Sequence, residues 1–228
     1  MRQLVFFFML IPFFVWSQSN FEKADKLFHA KKYKEAEVVF QENLKYYPND
    51  IKTLERLAEI TSEEKEWEKA ASYYKKLKQL KPNEADYFYK YGGCLGMRAL
   101  EVNKFKAFGM VDDMKASFEK AIVLNPKHIQ ARWALIELYL QLPGIVGGSE
   151  SKALRYSNEL AKLSPVDGYM SKGRIDEYFK RYASAEKNYI KAHEIGNSKV
   201  TFQKLYNLYL NKLKEPKKAQ ELKRKFDS

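Results

Sequence analysis

Several residue types are scarce in this 228-residue sequence, and each scarcity excludes a class of protein. The single cysteine, Cys94, allows no disulfide within the chain and no cysteine-rich zinc site. Ten glycines and seven prolines are too few for a collagen-like or low-complexity chain. An aromatic content of 15% is too high for a disordered chain. The sequence therefore predicts a folded protein that buries a core of its own.

Residues that carry catalysis or hold metal ions form no recognisable constellation. His29, His128 and His193 lie far apart, and none has a Cys, His or carboxylate at a repeated ligand spacing. Cys94 has no nearby histidine in sequence that would activate its thiol, so it is interpreted as a small buried hydrophobic residue. The phosphate-binding pattern GxxxxGK[ST] does not occur. We therefore expect a protein that is not an enzyme, with no cofactor, no metal and no small-molecule substrate.

The N-terminal segment has the order of features found in a secretory signal peptide. Arg2 precedes a run of apolar residues at 4–15, and small residues follow at and after Ser17. An uncleaved membrane anchor is the alternative, but the run is shorter than the ~20 residues of a membrane span and Pro12 interrupts it. We expect residues 1–17 to be removed after Ser17, and the exported protein to work in the periplasm or cell envelope.

From residue 20 onward, one pattern of residues recurs along the chain. An aromatic residue is followed by alanine, then by a second aromatic residue four positions on, and then in most units by a proline. The small residue lets two helices approach closely, the aromatic residues fill the gap to the next hairpin, and the proline ends the second helix. The pattern is carried by Tyr33, Ala36, Phe40 and Pro48; by Trp67, Ala70, Tyr74, Leu77 and Pro82; by Phe118, Ala121 and Pro126, with Met114 in place of the alanine; by Ala153, Leu160 and Pro165; and by Tyr182, Ala185, Tyr189 and Ala192.

This pattern resembles the tetratricopeptide repeat (TPR), whose period of 34 residues separates Pro48 from Pro82. The resemblance covers residues 20–228 and implies an all-α fold, a right-handed superhelical solenoid of helix hairpins, five clear and a sixth degenerate. A generic helical bundle is the alternative, but it would not need proline and alanine at a fixed period. Proteins of this class bind partners on a concave face lined by the first helix of each hairpin.

The third and fourth units are longer than 34 residues. In the third, the extra residues lie near 95–113, where we expect the first helix to extend to about Phe105 and Asp112 to cap the second helix. In the fourth, they lie at 143–149, in the sequence PGIVGGS, where Ser149 is the expected N-cap of the next helix.

The glycine-rich loop of the fourth unit has two interpretations. In the first, Gly147 and Gly148 supply positive φ for a tight loop, and Ile145 and Val146 pack back onto the hairpin. In the second, the backbone amides of the loop hold an anion at the start of a helix. Both insertions resemble those of a group of exported or envelope bacterial TPR proteins of unassigned activity. The matching residues are Ala134, Leu135, Pro143, Gly144, Gly147, Gly148, Lys152 and Ala153.

The register of the repeats predicts which side chains are exposed on the concave surface. They mix aromatic residues, methionine and both signs of charge, which suits a peptide or a protein segment. The residues are Glu55, Glu59, Tyr89, Trp133, Glu137, Met170 and Arg174. For Trp133, packing against the neighbouring hairpin is the alternative. The two-carboxylate clamp of the family needs Lys and Asn at inner positions where Glu55 and Glu59 stand here, so capture of a C-terminal carboxylate is not expected.

The formal net charge is +12, and residues 166–228 hold 15 basic and 8 acidic side chains. Such a segment is interpreted as the polar cap of a terminal repeat, or as a site of attraction to anionic lipid or polysaccharide. Nucleic acid is not expected, because export and the lack of a base-reading motif disfavour it.

The sequence thus predicts a non-catalytic adaptor of the periplasm or cell envelope that holds a protein or peptide partner on its concave face. An alternative is a protein that associates with the envelope surface through its basic C-terminal repeat. A third hypothesis places the contact on the insertion at 95–113, whose residues Phe105, Phe108, Met110 and Val111 are unusually apolar.

Overall fold

Helices joined by short turns make up residues 21–227, which are the residues that the computed structural model describes. Helix α1 covers residues 21–29. The helices that follow are α2 (Tyr33–Tyr46), α3 (Ile51–Glu63), α4 (Trp67–Leu80), α5 (Ala85–Glu101), α6 (Lys104–Gly109), α7 (Val111–Leu124), α8 (Ile129–Gln141), α9 (Glu150–Leu163), α10 (Pro165–Tyr178), α11 (Tyr182–Gly196), α12 (Lys199–Asn207) and α13 (Pro216–Asp227). The predicted signal peptide lies outside the described residues.

The helices pair in chain order into hairpins, which confirms the expected all-α class and its repeat. The hairpins are α1–α2, α3–α4, α5–α7, α8–α9, α10–α11 and α12–α13, and a π-helical segment (Leu208–Leu213) ends the first helix of the last one. They form two compact units, of which the first ends at Leu124 and the second begins at Asn125. No helix within residues 21–227 combines the length and the apolar character that crossing a bilayer requires.

The small and aromatic residues of the repeated pattern form the cores of both units. In the first unit, Ala36 and Phe40 are fully buried in one cluster with Leu57, and Ala70 and Tyr74 belong to the next cluster. In the second unit, the buried cluster contains the corresponding residues of α11 together with residues of α12 and α13. These residues are Ala185, Tyr189, Ala192, Leu205 and Ala219. The period of the sequence therefore places the residues that the core needs.

Four hairpins turn at a lysine in the left-handed conformation. These lysines, Lys31, Lys65, Lys180 and Lys214, have φ between 58° and 62°. In the second hairpin, the amide of Glu66 donates to the carbonyl of Thr61 at 2.7 Å, across the left-handed residue. This is the hydrogen bond of a Schellman turn, in which glycine is the usual left-handed residue because a Cβ is unfavourable there.

Replacing Lys65 by glycine is therefore expected to raise the free energy of unfolding by about 0.5–1 kcal/mol. The gain is limited because glycine also makes the unfolded chain more flexible. Lys75 in the interior of α4 is the matched control, since the same change there is expected to lower stability by about 0.5–1 kcal/mol. Urea unfolding measures both changes, and equal effects at the two positions would contradict the prediction.

The insertion of the third hairpin differs from the expectation. Helix α5 ends at Glu101, not near Phe105, because Asn103 accepts a hydrogen bond from the amide of Lys106 and starts the short helix α6. Helix α7 begins at Val111, so the predicted cap Asp112 lies within its first turn and the prediction for it was wrong. The result is a short separate helix instead of a longer α5.

The insertion at 95–113 leaves apolar side chains on the surface. Phe105 is 89% exposed and Leu100 is 81% exposed, while Phe108 is 38% exposed. Met110 and Val111 are partly buried.

The loop between α8 and α9 confirms part of the prediction for PGIVGGS. Ser149 caps α9 by accepting from the amide of Lys152, and Gly147 has a φ of 98°. Gly148 has no positive φ, so that expectation was wrong, but a Cβ there would lie 1.9 Å from the carbonyl oxygen of Leu142. Ile145 is 95% exposed and does not pack back onto the hairpin, whereas Val146 is partly buried. Glycine is thus required at 148 by close approach, not by conformation.

Candidate functional site

The two predicted glutamates of the first unit contact neighbouring side chains on the first helices of its hairpins. Glu55 of α3 accepts a hydrogen bond from the hydroxyl of Tyr87 on α5. Glu59 accepts from Arg56 at 2.9 Å, and the guanidinium of Arg56 also lies 2.6 Å from Asp25 on α1. Both glutamates are partly buried, so their carboxylates are committed to contacts inside the unit.

Tyr89 is less exposed than its register predicts. Its ring centroid lies 6.1 Å from that of Phe118 on α7, and the side chain is partly buried. Burial raises the pKa of Tyr89 above its ordinary value. The Tyr89 side chain is therefore partly buried because it packs against α7, the second helix of the same hairpin.

In the second unit, the four predicted residues come together around one cavity of about 410 Å³. It opens on the face formed by the first helices of three hairpins, α8, α10 and α12. The lining consists of Trp133, Glu137, Val166, Asp167, Met170, Arg174, Ser198, Val200, Thr201 and Lys204. A cleft of this size, with apolar walls and a few polar groups, is typical of a ligand site.

Two pairs of side chains fix the walls of the cavity. The indole Nε1 of Trp133 donates to Oδ1 of Asp167 at 2.7 Å. Arg174 donates from Nε and Nη2 to the two carboxylate oxygens of Glu137, each at 2.8 Å. Burial lowers the pKa of Arg174, but the hydrogen bonds and the charge of Glu137 outweigh burial and leave that pKa above its ordinary value. The bidentate pair is planar and restricts both side chains.

Trp133 satisfies both of the interpretations open for it. It packs against the buried cluster of the second unit and it also lines the cavity. Met170 was expected to be exposed, but it is only 7% exposed and belongs to the same cluster. Its burial follows from its place on α10, between the neighbouring first helices. That Trp133 and Met170 bind a partner stays a prediction.

Sequence reasoning missed the contribution of α12. The sixth hairpin is degenerate, so its register assigned no inner-face residue, yet Val200, Thr201 and Lys204 line the cavity. Ser198 and Thr201 form the capping box that starts α12, and this places the first turn of α12 at the cavity. The Ser-x-x-Thr spacing was the signal in the sequence that could have located this helix start.

The residues considered for chemistry have structural surroundings. Burial raises the pKa of the Cys94 thiol to about 11, which disfavours the reactive thiolate. His128 caps α8, since its Nδ1 accepts from the amide of Ala131 at 3.2 Å. Within residues 21–227, no group of three His, Cys, Asp or Glu side chains is placed to hold a metal ion.

Comparison with solved structures identifies the fold. A TPR protein of Thermus thermophilus, TTC0263, superposes with a TM-score of 0.63 over 85% of this chain and 99% of its own, at 16% identity. PilW, a widely conserved type IV pilus biogenesis factor, superposes with a TM-score of 0.65 over 92% of this chain and 91% of its own, at 17% identity. YrrB, a TPR protein with an unusual peptide-binding site, superposes with a TM-score of 0.58 over 80% of this chain and 87% of its own, at 15% identity.

No protein-family model and no curated protein matches the sequence. The structural likeness nevertheless shows that the chain has the tetratricopeptide-repeat fold. Proteins of this fold are in general non-catalytic scaffolds that bind other proteins or peptides.

Proposed function

We propose that this protein is a non-catalytic adaptor of the bacterial periplasm or cell envelope, and that it holds a segment of a protein partner in the cavity of its second unit. The observation that carries the proposal is the convergence of Trp133, Glu137, Met170 and Arg174 on one cavity at the first helices of three hairpins. Solenoid proteins present their binding surfaces on such a face.

Two further observations support the proposal. YrrB, which has a similar structure, is a TPR protein with a peptide-binding site, and PilW is a pilus biogenesis factor. The N-terminal residues also have the pattern of a secretory signal peptide, which would place the mature chain outside the cytoplasm.

Val200 offers a direct test, because it lines the cavity and is 66% exposed. A photo-reactive benzoylphenylalanine at position 200 is expected to crosslink the partner in the intact cell envelope. Arginine at position 200 would obstruct the cavity and is expected to reduce capture of that partner by a tagged protein about tenfold or more. Crosslinked bands and co-purified proteins are identified by mass spectrometry.

Val38 on α2 is the matched control, since it is 67% exposed and lies in the first unit. The same two replacements at position 38 are expected to give no crosslink to the partner and no loss of capture. A partner captured equally well by the 200 and 38 arginine variants would show that the cavity is not its binding site.

A further inference from the structure

We infer that the cavity of the second unit selects a partner segment in which an apolar side chain is followed or preceded closely by an acidic one. This inference rests on the proposed function and specifies the chemistry of the segment. Apolar side chains of Trp133, Val166, Met170 and Val200 form the walls that would receive the apolar group. The position of the acidic group follows from the charges around the same cavity.

Three of the four charged groups that line the cavity are already balanced. Glu137 and Arg174 neutralise each other through two hydrogen bonds. Asp167 accepts from the indole of Trp133 and lies in the first turn of α10, where the helix dipole stabilises a negative charge. A ligand that carried a charge toward these groups would have to break an existing contact.

Lys204 differs from them. It lines the cavity from α12 and is exposed, and among residues 21–227 its ammonium group has no hydrogen-bond or ion-pair partner. A carboxylate of the ligand would therefore gain an interaction at Lys204 without displacing one. Because the cavity measures about 410 Å³, the carboxylate and the apolar side chain must lie within a few residues of each other.

The charge of the whole second unit favours the same ligand. Residues 125–228 carry 20 basic and 11 acidic side chains, whereas the first unit is nearly balanced beyond the predicted signal peptide. An excess of positive charge on the unit that holds the cavity speeds the approach of an acidic segment and disfavours a basic one.

Peptide selection with matched charge variants tests the inference. A random library of phage-displayed twelve-residue peptides is selected on the purified wild-type protein, on Lys204→Glu and on Lys199→Glu. Lys199 lies on the same helix and is exposed, but it does not line the cavity. Wild type and Lys199→Glu are expected to enrich peptides with an apolar residue within three positions of Asp or Glu.

The Lys204→Glu variant is expected to lose the acidic preference and to select Lys or Arg at that position. A synthetic peptide from the wild-type selection is expected to bind Lys204→Glu about threefold to tenfold more weakly, and its Asp/Glu→Asn/Gln version should lose the difference. Circular dichroism confirms that each variant is folded.

The possible results distinguish failure of the inference from failure of the proposed function. Peptides that depend on Val200 but show no acidic preference would overturn the inference and leave the adaptor function standing. A selection that enriches no cavity-dependent peptide would overturn both. Binding to vesicles of anionic phospholipid that competes with the selected peptides, and that Lys204→Glu abolishes, would assign Lys204 to a lipid surface and also overturn the inference.

Discussion

Replacing Tyr189 by alanine is expected to lower the free energy of unfolding of the second unit by about 3–5 kcal/mol. The ring is fully buried, and it lies directly over Gly173 of α10, where a Cβ would come within 2.5 Å of Cδ1. Because position 173 has no side chain, it cannot fill the space that the ring leaves. The cavity left behind adds to the loss of buried apolar surface.

Phenylalanine at the same position separates the ring from its hydroxyl group. The Tyr189 hydroxyl donates to Glu177 at 2.9 Å, and Tyr189→Phe is expected to cost about 1 kcal/mol through loss of this bond. If alanine costs no more than phenylalanine, packing of the ring on Gly173 is not what holds this hairpin.

The measurement must report on the second unit, because repeat proteins can unfold in segments. Trp133 lies in that unit, whereas Trp67 lies in the first. Urea unfolding is therefore followed by tryptophan fluorescence in a chain that starts at Gln18 and carries Trp67→Phe. In this chain Trp133 reports the unfolding of the second unit.

The adjacent glycines of α5 are expected to respond in opposite directions to the same substitution. Alanine at Gly92 would place a Cβ 2.8 Å from Cε1 of Phe118, a buried ring, and is expected to destabilise the first unit by about 1–3 kcal/mol. Alanine at Gly93 meets nothing within 4 Å and is expected to stabilise it by about 0.5–1 kcal/mol, since alanine is the better helix former.

The pair is internally controlled, because both changes add one methyl group to the same helix. Fluorescence of Trp67 in a Trp133→Phe background measures the unfolding of the first unit. If alanine stabilised the first unit at both positions, Phe118 would be able to move aside, and Gly92 would not be needed for the approach of α5 and α7.

The core of this fold was readable from the sequence because it repeats. Ala36, Ala70, Ala153 and Ala185 stand at the same place in four units and are fully buried, and Met114, which replaces the alanine in the third unit, is buried as well. A helix crossing that requires a small side chain leaves a periodic signal, and the pattern of one hairpin predicts the next. The signal peptide remains a prediction, since its residues lie outside the described part of the chain.

The irregular segments were predicted less well, because they depend on contacts that occur only once. The end of α5 is set by Asn103, whose side chain competes for the backbone with a helix that could otherwise continue. Ile145 was expected to pack because it is apolar, but the loop geometry fixed by Gly147 and Gly148 leaves it exposed. Hydrophobicity alone does not specify the direction in which a loop presents its side chains.

Part of the candidate site could be predicted because its residues follow the repeat. Trp133 and Glu137 align with Met170 and Arg174 at an offset of 37 residues, so the register of α8 predicts that of α10. Lys204 stands 34 residues after Met170, which is the period of the repeat, but α12 belongs to a degenerate hairpin to which no inner-face residue was assigned. The residue on which the charge preference of the cavity is proposed to depend was thus missed because the sixth hairpin departs from the repeated pattern, although the period extends to it.

The bidentate pair of Arg174 and Glu137 makes part of the cavity rigid before any ligand arrives. Ordering a long side chain on binding costs about 0.5–1.5 kcal/mol, and these two side chains are already held in place. Lys204 is unrestrained and would lose conformational entropy when it meets a carboxylate. The affinity of the cavity would then come mainly from its preformed apolar walls, and the lysine would act by discriminating between partners.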